Sequence, residues 1–166
     1  MPNTTKGSAV LTLPNDTDIV VTREFNAPAD VVWRVFTDPE LIKRWWAGRQ
    51  GTVTSVEIDP RPGGTYRYVM TPTEGGEVAF HGEFREVEPG RRLVHTEVFE
   101  GMPDSESGAT LNTYTFTERD GVTVLELVTR APSKEVRDAI VASGMEVGMQ
   151  EAYDVLEEIA VELTAS

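Results

Sequence analysis

Thr37-Asp38-Pro39-Glu40-Leu41-Ile42-Lys43-Arg44-Trp45-Trp46 reads as a short helix ending in a tryptophan pair, and its setting decides the fold. Asp38 is a good N-cap, and Pro39 suits the first turn, where its missing N–H costs nothing. Trp45 follows Leu41 by one turn and should share its buried face, which leaves Trp46 to border an opening. An indole covers roughly 200 Å² of apolar surface while keeping a polar N–H, so the pair can seal a core or wall a cavity. Residues 48–51 close the helix with glycine at both ends.

Working outward, residues 19–25 are rich in β-branched side chains and read as a strand, stopped by Asn26-Ala27-Pro28. Val31, Val32, Val35 and Phe36 then recur with helical spacing. After the tryptophans come strands at 53–58, 66–71, 78–88 and 93–100, divided by Pro/Gly turns such as Asp59-Pro60-Arg61-Pro62-Gly63-Gly64 and Thr73-Glu74-Gly75-Gly76. An acidic loop, 101–108, precedes a hairpin of 111–117 and 122–129 around Asp120-Gly121. Pro132-Ser133 opens a C-terminal helix whose pattern runs to about Leu163, roughly 45 Å if unbroken. Val136, Ile140, Val147, Ala152, Val155, Ile159 and Leu163 supply its apolar face. Residues 1–17 form a tail in which Ala9-Val10-Leu11-Thr12-Leu13 can add an edge strand. A twisted antiparallel sheet cannot leave its concave face wet, and a helix of this length can lie across it.

The chain has 166 residues, 39% of them hydrophobic and 26% charged, enough for one sizeable core. There is no cysteine, so disulfides, thiol catalysis and thiolate metal sites are excluded. No apolar run approaches the ~20 residues that span a bilayer, and residues 1–8 lack the apolar core of a signal peptide. The cytoplasm is the expected compartment. A net charge of -13 disfavours nucleic acid and anionic membrane surfaces. The acid is uneven: residues 93–118 hold no Lys or Arg, and from Ser133 onward eight carboxylates face only Lys134 and Arg137. That stretch is either a solvated face or a docking surface for a basic partner.

Alternation places Tyr66, Tyr68 and Met70 on one face of their strand, and Phe80, Gly82 and Phe84 on one face of the next, with His81 opposite. His95 and Glu97 share a face with Leu93 and Phe99. They form either an acid/base pair aimed inward or a surface pair near a sheet edge. On the helix, Gly144 and Gly148 lie on one side with Met145 and Met149 beside them, and Tyr153 continues the methionine stripe. The glycines either let the helix pack closely on the sheet or open room for a ligand, each costing the helix about 1 kcal/mol relative to alanine. No nucleophile elbow, phosphate loop or dinucleotide fingerprint occurs, and two histidines on separate strands make no metal site.

Several pieces in order carry a resemblance. They are Arg23-Glu24-Phe25-Asn26-Ala27-Pro28 with Val32-Trp33, Thr37-Asp38-Pro39-Glu40-Leu41 with Arg44-Trp45-Trp46, and Asp59-Pro60-Arg61-Pro62-Gly63-Gly64 with Tyr66-Arg67. Gly82 with Glu86-Val87, Arg92-Leu93-Val94, Gly121-Val122-Thr123 and the helix from Gly144 to Met149 complete them. Over residues 18–163 the sequence resembles the START-like (SRPBCC) superfamily, and within it the branch related to the activator of the heat-shock-protein-ninety ATPase. The resemblance implies an α+β helix-grip fold. Its curved antiparallel sheet of six or seven strands wraps a long C-terminal helix, and two short helices follow the first strand. Residues 18–166 are expected to form one such domain. The additional N-terminal domain of the eukaryotic activators is not expected here.

Three functions stay open. The first is binding of a small or medium hydrophobic molecule, lipid-like or aromatic, between sheet and helix. Trp46, Tyr66, Tyr68, Met70, Phe84, Met145, Met149 and Tyr153 would line that site. The second is a cyclase or hydrolase using the same cavity, with Glu97 and His95 as its titratable groups. The third is an interaction module for a chaperone or a second copy of the chain. No cofactor and no metal are expected in any of them.

Overall fold

A computed structural model describes residues 9–47, 51–73, 75–100, 109–142 and 145–165. The strands are β1 (Val10–Thr12), β2 (Asp18–Phe25), β3 (Gly51–Ile58), β4 (Thr65–Pro72), β5 (Val78–Glu88), β6 (Arg92–Phe99), β7 (Thr110–Arg119) and β8 (Val122–Arg130). The helices are α1 (Ala29–Thr37), α2 (Pro39–Trp45), α3 (Lys134–Ala142) and α4 (Met145–Ala165). The strands form one antiparallel sheet in the order β1-β2-β8-β7-β6-β5-β4-β3. From β3 to β8, neighbours in the chain are neighbours in the sheet. The α1–α2 pair carries the chain from β2 to the far edge.

Local chemistry accounts for the joints. Asp38 ends α1, its N–H donating to the Arg34 carbonyl, and starts α2, its carboxylate accepting from the Glu40 N–H at 3.0 Å. The β7–β8 hairpin turns on Asp120 and Gly121, at φ 54° and 80°. Both central residues of this two-residue turn need φ > 0, which glycine supplies freely and aspartate tolerates. Ser133 caps α3 by accepting the Val136 N–H at 3.2 Å.

This is the expected α+β helix-grip arrangement, with two corrections. The sheet has eight strands rather than six or seven, because β1 pairs in full with β2. Gln150 on α4 reinforces β1 by bonding both the N–H and the carbonyl of Ala9, at 3.2 and 2.8 Å. The C-terminal helical region is described in two segments, α3 and α4, with Ser143-Gly144 outside the described residues. Its expected apolar face is corrected at one point. Val147 is 62% exposed, and the buried face of α4 runs through Ala152, Tyr153, Leu156, Ile159 and Ala160.

Apolar burial and one ionic cluster hold α4 on the sheet. Phe36 sits at the centre of an aromatic core, edge-on to Trp45, Tyr114, Phe116 and Tyr153 at 5.2–6.1 Å. Trp45 donates its indole N–H to the Val35 carbonyl at 2.9 Å, so its polar atom is satisfied inside. Arg23 points inward from β2 between Val21 and Phe25, and its side chain has no exposure. Its guanidinium meets Asp154 at 2.8 Å and Glu157 at 3.2 Å, both on α4. Glu157 also accepts the backbone N–H of Asn26 at 3.1 Å. One cation thus ties two positions of the helix to the sheet and to the loop before α1.

Candidate functional site

The two halves of the sheet's inner face differ. Under α1, α2 and the second half of α4, the side chains of β2, β8 and β7 are sealed: Ile19, Val21, Phe25, Leu125 and Phe116 are at most 3% exposed. Toward β3, the inner face is only half-buried at Val56, Tyr68, Met70, Phe80 and Glu97, and Phe99 is 44% exposed. Met149 of α4 is half-buried beside the core. A methyl group added at Gly148 would meet nothing within 4 Å among the described residues. Gly148 therefore borders space instead of bringing helix and sheet into contact. Gly144 and the Met145 side chain lie outside the described residues.

Aromatic rings run continuously through this half. Trp46 stands edge-on to Tyr68 at 5.3 Å and to Phe80 at 5.2 Å, and Phe80 stacks on Phe99 at 5.0 Å. Tyr68 leans on Tyr66, Tyr66 on Phe84 and on His95, and His95 on Tyr114. Tyr114 meets Phe36, which meets Tyr153. The lining candidates thus separate. Trp46, Tyr68, Met70 and Met149 are half-buried and reach the open part. Tyr66, Phe84 and Tyr153 are at most 5% exposed and stand behind them.

A backbone rearrangement sets the polar groups. The β5–β6 ladder pairs His81 with Val98 and Phe84 with His95, and its register shifts just beyond. Between those pairs the Glu83 N–H donates to the Thr96 hydroxyl at 2.9 Å instead of to a carbonyl. The Thr96 carbonyl is left to accept from the Tyr66 hydroxyl at 2.7 Å and from His95 Nδ1 at 3.0 Å. A carbonyl only accepts, so His95 carries its proton on Nδ1. Gly82 permits this turn: a Cβ there would lie 1.9 Å from the Thr96 oxygen and 2.7 Å from the Tyr66 ring.

Glu97 follows on the inner face of β6, opposite Thr110 of β7. Burial pushes its carboxyl above the usual carboxylate range, and a hydrogen bond from Asn112 partly offsets that. Asn112 in turn accepts the Thr129 hydroxyl at 2.7 Å, which leaves its NH₂ edge for Glu97. Burial raises the hydroxyls of Tyr66, Tyr68, Tyr114 and Tyr153 well above their ordinary value, and the charge of Glu97 raises each further. Four tyrosines therefore lie within the electrostatic reach of one carboxyl.

His95 is 8% exposed, and burial pushes its imidazole down to about 4, against the pull of the Thr96 bond. It is neutral near pH 7. The placement of His95 and Glu97 at a solvated edge is thus corrected: β6 is an interior strand, and both face inward. They do not bond each other, since His95 takes a carbonyl and Glu97 takes Asn112.

Sequence reading missed Arg23 with Asp154 and Glu157, although the signal existed. An arginine stood at an inward position of β2, and two carboxylates interrupted an apolar helix face. It also missed Asn112 and Thr129, whose partners depend on strand register. On the outer face, His81 joins Arg67 at the Glu100 carboxylate, at 2.8 and 2.9 Å, which holds Glu100 at about 2. Two open grooves of about 500 and 310 Å³ lie on that face. Arg85 and Arg130 along the first pair with Glu83 and Asp18, and Arg67 along the second pairs with Glu100, so all three cations are already engaged. Among the described residues no helix is long and apolar enough to cross a membrane, and no group of three or more His, Asp or Glu gathers to hold a metal.

The architecture recurs in solved structures. A protein of Rhodobacter sphaeroides is 30% identical, with a TM-score of 0.83, over 95% of this chain and 99% of its own. A Mycobacterium smegmatis protein is 28% identical with a TM-score of 0.78, over 95% and 98%. A Nitrosomonas europaea protein, 23% identical, shares the fold with a TM-score of 0.81 over 93% and 100%. No curated protein matches the sequence. A family model described as activator of Hsp90 ATPase homolog 1-like protein matches residues 26–160.

Proposed function

The chain belongs to the activator of Hsp90 ATPase homolog 1-like protein family, and on that premise we propose that it binds a small or medium hydrophobic molecule between α4 and the β3–β6 half of the sheet. The unequal burial of the inner face carries this reading. A core that only stabilises the fold has no reason to leave Trp46, Tyr68, Met70, Phe80 and Met149 half-buried along one band while the other half is sealed. Ligand sites are mostly apolar and hold a few polar groups that set orientation, which is the composition found around Glu97. The supporting contacts are of the kind that fix such a site. The Gly82–Thr96 turn holds Tyr66 and His95, and the Thr129–Asn112 pair holds Glu97.

An environment-sensitive apolar dye such as 1-anilinonaphthalene-8-sulfonate or N-phenylnaphthylamine should gain fluorescence with the protein. Met149→Trp should block it by filling the space beside Gly148. A folded variant that binds the dye as the parent does would place the site elsewhere.

A further inference from the structure

We infer that this cavity takes a lipophilic cation, a primary organic amine whose ammonium head meets Glu97 while its apolar body lies along the aromatic band. The inference rests on the binding reading above and adds the chemical class of the ligand.

Four observations point to it. First, by register and alternation the inner faces of β3–β7 carry no Lys or Arg among the described residues, and α4 carries none along its whole length. Arg23 lies on β2 and is engaged by Asp154 and Glu157. Glu97 therefore has a hydrogen bond from Asn112 but no cation among the described residues. Second, the Thr110 hydroxyl, directly across the strand pair from Glu97, is buried without a hydrogen-bond partner, and the residue is 6% exposed. An unused acceptor beside an unneutralised carboxyl fits a group with several N–H donors. An ammonium has three, and no acceptor that would clash with either oxygen. Third, the apolar surroundings are rich in aromatic rings, Tyr68, Phe80 and Tyr114 among them, and a ring attracts a cation placed over its face where it would repel an anion. Fourth, a chain of net charge -13 concentrates cations around itself and disfavours the approach of anions.

The alternatives fit less well. A fatty carboxylate would bring a second negative charge against Glu97. A neutral alcohol would fill the band but leave the carboxyl without a counter-charge. A half-buried carboxyl raised by desolvation returns to its ionised form once an ammonium neutralises it, so the head group and Glu97 stabilise each other's charge.

The test uses three probes of one chain length, octylamine, 1-octanol and octanoate, titrated into the full protein by calorimetry at neutral pH. Octylamine should bind roughly ten- to a hundredfold more tightly than octanol, the range expected for a charge-assisted hydrogen bond. Octanoate should bind more weakly than either. In Glu97→Gln, octylamine should lose its preference and bind no more tightly than octanol does to the same variant. Equal affinities of octylamine and octanol in the parent protein overturn the inference, whether or not the variant folds. So does a Glu97→Gln variant that keeps the preference. If octanol binds and the amine gains nothing, only the ligand class fails; if none of the three binds, the cavity reading fails with it.

Discussion

Replacing Arg23 by methionine should cost more than any other single change on the inner face of the sheet. The side chain is wholly inside, and its partners Asp154 and Glu157 retain only 9% and 11% exposure. Methionine keeps most of the volume, so packing is nearly conserved and the loss is electrostatic. Breaking a buried ion pair by removing one partner costs about 3–5 kcal/mol, because the remaining charge is left uncompensated. Here one substitution leaves two carboxylates, so the upper end, roughly 5 kcal/mol, is expected. That is a third or more of the about 5–15 kcal/mol that holds a domain together. The assay is urea unfolding followed by circular dichroism, comparing midpoints at constant slope. A triple variant, R23M/D154L/E157Q, provides the control. It removes both carboxylate charges, while the new side-chain amide oxygen at position 157 can still accept the Asn26 N–H, and it should recover most of the loss. A single variant that loses less than about 1 kcal/mol would show that solvent already screens the cluster. A triple variant no better than the single would show that the cost lies in packing and not in charge.

Gly82→Ala should destabilise by roughly 3–5 kcal/mol, summing the strain of an overpacked site and the loss of two hydrogen bonds to the Thr96 carbonyl. Urea unfolding checks it, and a loss under about 1 kcal/mol would mean that the carbonyl withdraws at little cost. His95 should make the protein acid-sensitive. Its folded value, about 4, lies below the ordinary 6.5, so below pH 6.5 the unfolded chain takes up a proton that the folded one refuses. The stability lost between about pH 6.5 and 4 amounts to ~3 kcal/mol. The parent should lose this stability over that range while His95→Gln does not, and above about pH 8 the difference between the two should no longer change with pH; parallel stability–pH curves throughout would refute it.

The fold was legible because its elements are amphipathic with clear periods. Alternation in 66–70 and 80–84 marked the inner face of β4 and β5 correctly, and the cap at Asp38 marked both short helices. The buried face of α4 was only partly legible: Val147 fits the apolar spacing yet is 62% exposed, while Leu156 and Ala160, outside the expected set, are buried. The site was legible as residue types but not as bonds. Trp45 and Trp46 fell into a buried and a half-buried role as spacing suggested. The exchange of acceptors at Thr96 depends on a carbonyl turning past Gly82, and no pattern of side chains encodes that. Arg23 and Asp154 each stood out as a charge on an apolar face, but they are neighbours only because the helix returns across the sheet, so the sequence did not say that they pair.

The sheet's order also governs when the molecule can form. β2 is made early, but its long partner is β8, and the ion pair of Asp18 with Arg130 joins residues 112 apart. Until β8 emerges during synthesis, β2 has only the three residues of β1 to pair with. Its apolar edge, Ile19, Val21 and Phe25, must wait for nearly the whole chain, and α4, the element that covers it, comes last. Such long-range closure slows folding and leaves strand edges open to association while the chain grows. The same connection makes the finished fold all-or-none: a chain truncated before Val122 loses β8, and with it the strand that joins β2 to β7.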